Sequence, residues 1–243
     1  MLKREGQRFL YRAHAVGLSA NFQKPYVESL GSIASTALAI TGGVASAREI
    51  NYKYRDILSF SLAETNLIGH ESTEAGVHNT LTTTTIEGLN VMNVLMADRI
   101  VLRMASRHFM DDAEAAHTFV GSHIENLRVG GHAVDISYDG SVLAEWDTFS
   151  KAKAGFQKRR PDRQDLAAHT LPMSIVTAVS APPGMVTEGN RIDFPEFGSI
   201  YLGEVFIKEG QRRITMMRLA LGCPVRGDIC VADGDGNGQP INP

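Results

Sequence analysis

Thr80-Leu81-Thr82-Thr83-Thr84-Thr85-Ile86 is the stretch that decides the fold. It is β-branched almost throughout, and branching at Cβ costs rotamer freedom in a helix while suiting a pleated surface. A strand is predicted here. Working outward, Arg12, His14, Val16 and Leu18 alternate with Tyr11, Ala13, Ala15 and Gly17, and Ile57, Ser59 and Ser61 alternate with Leu58, Phe60 and Leu62. Period-2 alternation reads as half-buried strands. Met96 to Ser106 is rich in helix formers, yet Arg99 and Arg103 interrupt alternate positions around Ile100, Leu102 and Met104, and it too is read as a strand.

A short echo recurs along the chain. Ile86, Leu89 and Val91, then Ile124, Leu127 and Val129, then Leu202, Val205 and Ile207 each follow the spacing i, i+3, i+5. Such spacing implies that the strand changes the face it presents, which a β-bulge at Gly88 or Gly203 would produce. Further strands are expected at Ile175–Val179, Arg191–Phe194, Ile200–Ile207 and Ile214–Leu219. Gly42-Gly43, Gly130-Gly131, Asp139-Gly140, Pro182-Pro183-Gly184 and Glu188-Gly189-Asn190 supply the turns. Asp111 to His117 reads as one helical turn, and the basic segment near 150–169 as an exposed loop or short helix. The predicted architecture is all-β and mainly antiparallel, a two-sheet sandwich or flattened barrel with one or two short helices. Residues 1–232 form a single β domain on this reading, and 233–243 a flexible Gly/Asp-rich tail.

Length and composition agree with an ordinary globular chain: 243 residues, 43% hydrophobic, net charge -3, mean hydropathy -0.10. That charge gives no concentrated basic field for nucleic acid. Around Ile33 to Ala47 the apolar run falls short of the ~20 residues that cross a bilayer as a helix. The opening MLKREGQRFLYRAHAVG has a positive start without the apolar centre of a signal peptide, so the expectation as written is cytoplasmic. Cys223 and Cys230 are too few for a disulfide framework; with six residues between them they could close one small loop, and the simpler reading is two free thiols.

The order of segments resembles the bacterial choice-of-anchor P proteins, a group of secreted or surface β-rich domains. The residues that carry the resemblance are YRAHAVGLSA, the strand ending in Thr41-Gly42-Gly43, the Thr-rich strand leading to IEGLNVMN, VGSHIENLRVGG from Val120 to Gly131, and FGSIYLGEVFIKEG. It implies an all-β module held at a cell surface and transfers no catalytic residues. The absence of a recognisable export signal or terminal anchor is a departure from that pattern.

Asp233-Gly234-Asp235-Gly236-Asn237-Gly238 opens like a calcium loop, making Asp233, Asp235 and Asn237 the candidate metal ligands. The acid expected at its twelfth position would fall at residue 244, and no cofactor is otherwise indicated. The histidines show no HExxH or HxH pattern, and no GxSxG elbow is present. Titratable groups that interrupt apolar strands, His14, Glu64, His123 and Glu125, are the candidates for a scattered catalytic site; Glu87 and Glu125 occupy matching places in the echo. The leading expectation is a non-enzymatic structural or interaction protein that self-associates or presents a β surface, since sheets offer edges to other chains. An enzyme with a pocket inside a barrel, acting on a small molecule as isomerase, cyclase or hydrolase, is the alternative. A carbohydrate-binding sandwich, using Trp146, Tyr138 and Phe149, is the third reading.

Overall fold

The computed structural model describes residues 8–72, 76–139, 146, 148–159, 171–180, 182–222 and 224–241. In chain order its elements are β1 (Arg8–Lys24), β2 (Glu28–Ala37), β3 (Gly43–Tyr54), β4 (Leu58–Glu71), β5 (Val77–Val91) and β6 (Leu95–Phe109). Short strands follow: β7 (Ala116–Thr118), β8 (His123–Glu125), β9 (Arg128–Val129), β10 (His132–Ala133) and β11 (Ile136–Tyr138). After helix α1 (Phe149–Arg159) come β12 (Leu171–Ser174), β13 (Val176–Val179), β14 (Val186–Glu188), β15 (Arg191–Phe194), β16 (Gly198–Lys208), β17 (Gln211–Leu221) and β18 (Arg226–Ile241).

Two antiparallel sheets face each other as a sandwich, and neither closes into a barrel. The first runs β14-β15-β16-β17-β18-β1-β2, with β12 also on β16; the second runs β10-β9-β6-β5-β4-β3, with β7 and β8 also on β6. A two-stranded sheet, β11 with β13, completes the set. One hydrophobic cluster draws on both large sheets, from Leu18 and Val231 on one side to Ile86 and Ile100 on the other.

The i, i+3, i+5 echo is a true change of face, for all nine of its residues are buried. Its mechanism differs from a bulge. In β5 the pairing runs Glu87 with Arg99 and then Leu89 with Ala97, so no extra residue is inserted. Instead, single residues adopt a left-handed backbone: Asn51, Gly88 and Asn126 in one sheet, Ala34, Ala232 and Gly203 in the other. In each sheet these sit at every second strand position, in one transverse row, and the intervening strands switch in step. Glycine takes this conformation freely, which accounts for Gly88 and Gly203; alanine there is strained.

Two expectations are corrected. The stretch 233–241 is no flexible tail; it is the second half of β18, paired with β1 from Arg8 with Ile241 through Val16 with Asp233. Its glycines face inward, where side chains would collide: a Cβ on Gly234 would lie 2.8 Å from Thr82 Cγ2, and one on Gly236 3.0 Å from Met104 Cε. Small residues here allow β18 to press against β5, and Thr82 Oγ1 donates across the gap to the Asp235 carbonyl at 2.9 Å. Likewise, Asp111 to Ala115 is irregular chain and Ala116 and His117 open β7, with Glu114 and His117 turned inward to partners in the core. The basic segment begins as α1, which buries Ala152 and Phe156; residues 160–169 lie outside the described residues.

Candidate interaction surface

Beyond Ala232, alternation places Asp233, Asp235 and Asn237 on the outer face of β18, spread along an extended strand instead of converging as a calcium loop requires. Each is already engaged. Asp233 accepts from Arg213 Nε at 2.8 Å and Thr215 Oγ1 at 2.6 Å. Asp235 accepts from the His14 backbone N–H at 2.8 Å and Gln211 Nε2 at 3.3 Å, and burial raises its pKa. Asn237 donates to the Gly210 carbonyl. Among the described residues no group of three His, Cys, Asp or Glu is placed to hold a metal ion. Burial also raises the Cys230 thiol, which is free; Cys223 lies outside the described residues.

The four catalytic candidates do not converge. His14 is on the outer face of β1, with Nε2 3.1 Å from Ser35 Oγ. Asp235 meets its backbone amide, so this pair lacks the carboxylate that orients a catalytic imidazole. Glu64 lies on the outer face of the opposite sheet, in one transverse row with Thr85, Val101 and His123. That places it about three strand spacings, roughly 14 Å, from His123. His123 and Glu125 do meet, Nε2 to Oε1 at 2.8 Å, as an exposed pair. Glu87 and Glu125 share a row with Arg99 between them, all facing solvent. Trp146 is buried, and Phe149 and Tyr138 pack against the core, so they form no exposed platform.

Sequence reasoning missed a polar end of the interior. His78 and His108 are cross-strand partners, and His117 pairs with Ser106 nearby. Phe9 stacks on His78 with ring centroids 4.0 Å apart, while Tyr11 Oη lies 2.8 Å from His78 Nδ1. Both His117 nitrogens face carbonyls, Nδ1 that of Ala115 and Nε2 that of Gly236, each at 2.9 Å. A neutral ring donates to only one of them. Burial, with Arg212 nearby, nonetheless holds its pKa down at about 4. Arg212 Nη2 bridges to Glu114 Oε2 at 3.3 Å, and the same oxygen accepts the Phe149 N–H at 2.6 Å, tying α1 to the core. The cluster links β1, β5, β6, β7, β18 and α1. Only the scattered histidines in the sequence hinted at it.

The free edges are the remaining feature. β3 pairs with β4 over nearly its whole length, from Gly43 with Gly69 to Tyr54 with Leu58. Among the described residues nothing pairs with its other side. An unpaired strand offers backbone donors and acceptors to any extended chain. Along its outer face Val44 is 75% exposed and Ile50 56%, values high enough to mark apolar side chains without cover. Cross-strand neighbours extend each of them: Ile68 beside Val44 and Leu62 beside Ile50. Polar Ser46 and Arg48 lie between, with Arg48 opposite Glu64.

These features define an all-β sandwich with an open, partly apolar strand edge and no convergent catalytic group among the described residues. Within that class, the chain belongs to the family described as Domain of unknown function (DUF8256), whose model matches residues 9–169. The match takes in the whole of the β3-edged sheet together with β2 and β1 from Phe9 onward, and ends before β12. No curated protein and no solved structure matches the chain. Among the described residues no helix is long and apolar enough to cross a membrane.

Proposed function

We propose that this protein is a non-enzymatic structural or interaction module that works by strand addition at the open edge of β3. The observation that carries the reading is the edge itself: twelve residues, Gly43 to Tyr54, paired on one side only among the described residues, with Val44 and Ile50 exposed. Main-chain hydrogen bonding to an added strand gives affinity, and alternate side chains give selectivity. The resemblance to choice-of-anchor P proteins adds presentation at a cell surface as the setting. The catalytic candidates sit on two opposite outer faces, and no observation favours the pocketed-enzyme reading over this one.

The test is solution mass by light scattering, with electron microscopy of the same sample. Dimers or larger assemblies that Ile50→Lys dissociates support the reading. A single-chain mass at every concentration contradicts it.

A further inference from the structure

We infer that the strand added to β3 is β3 of a second copy, antiparallel and in register about Ala47, so that two sheets join across a two-fold axis. This rests on the proposed edge function and names its partner. Joining two sheets with their outer faces on the same side requires outward residues to oppose outward residues, which restricts the symmetric registers to those centred on a residue. The choice among them is made by charge and by apolar matching.

Centring on Arg48 sets Arg48 against its own copy, and centring on Glu49 sets Glu49 against itself; like charges directly opposite are destabilising. Centring on Ser46 sets exposed Val44 against Arg48. Centring on Ala47 sets Ala47 against Ala47, Ser46 against Arg48, Ala45 against Glu49, and Val44 against Ile50. No like charges meet. The two exposed apolar residues of the edge cover each other, and the existing cross-strand pairs extend the match. An apolar row then runs Ile68, Val44, Ile50, Leu62 across the seam, and the two-fold axis repeats it. Asn51, with its left-handed backbone, changes the face that β3 presents one residue beyond Ile50.

The experiment compares the light-scattering mass of the full chain with two double variants, V44K/I50K and V44K/I50E. Both sites are exposed in the single chain, and circular dichroism checks that each variant folds. For the unaltered protein the expected result is twice the 26.4 kDa chain mass. V44K/I50K should fall to one chain mass, because each introduced lysine then opposes another lysine across the seam. V44K/I50E should recover the doubled mass, because each introduced lysine then opposes an introduced glutamate. A single-chain mass for the unaltered protein overturns the inference. If both variants are single chains, the register is overturned while the edge reading stands. If both remain dimers, the interface lies elsewhere and both readings fall.

Discussion

Thr82 and Asp235 are 153 residues apart in the chain, and the hydroxyl of the first donates to the backbone carbonyl of the second at 2.9 Å. That bond joins the two sheets where the glycines of β18 lie against the threonines of β5. Two positions along β5, Thr84 is also fully buried, but its Oγ1 has no hydrogen-bond partner. The same substitution should therefore have opposite signs at the two sites. Thr82→Val should cost about 1 kcal/mol by removing a made bond, while Thr84→Val should gain about 1 kcal/mol by removing an unmet one. Urea unfolding of both variants checks this.

Backbone handedness gives a second pair of opposed outcomes. Gly203 has φ of +59°, and a Cβ there would lie 2.7 Å from Ile175 Cγ1. Gly203→Ala should destabilise by about 2 kcal/mol. Ala34, at φ of 48° and only half-buried, carries strain that glycine does not. Ala34→Gly should raise stability by up to about 1 kcal/mol. Thermal unfolding measured on both should show shifts in opposite directions.

Particular residues show what was legible in the sequence. The change of face at Gly88 and Gly203 could be read because buried Ile, Leu and Val mark both sides of it. At β18 the equivalent run is Val231, Gly234 and Gly236, where close approach to Thr82 and Met104 selects glycine, and glycine beside aspartate reads as a loop. The strand was hidden for that reason. The inward turn of His117 and Glu114 depends on Arg212 and Gly236, far along the chain, and no local pattern encodes it. The β3 edge was foreseen only as a general property of sheets; the row that joins Val44 to Ile68 and Ile50 to Leu62 needs the register.

His117 sets a pH dependence. Its folded pKa of about 4 lies below the ordinary 6.5. The unfolded chain therefore takes up a proton that the folded chain refuses as pH falls from 6.5 towards 4. Stability is complete above 6.5 and declines through that window, by on the order of 3 kcal/mol. His78, lowered by burial, acts in the same direction. His117→Gln should make the decline shallower, as followed by denaturant midpoints across that range; an unchanged slope would remove His117 as its source.

The ion pair between Arg212 and Glu114 is almost wholly buried, at 3% and 13% side-chain exposure. Removing the guanidinium alone strands a carboxylate, so Arg212→Met should cost on the order of 3 kcal/mol. Glu114 also holds the first amide of α1. The same variant should loosen that helix, and the fluorescence of Trp146, the sole tryptophan, should shift to the red.

The most direct test of the open edge is hydrogen exchange of the β3 amides from Val44 to Ile50 at rising protein concentration. Those not bonded to β4 should become protected as concentration rises, while amides of the short edge strand β14 stay unchanged. Fast exchange of the same amides at every concentration would contradict pairing of that edge with a second chain.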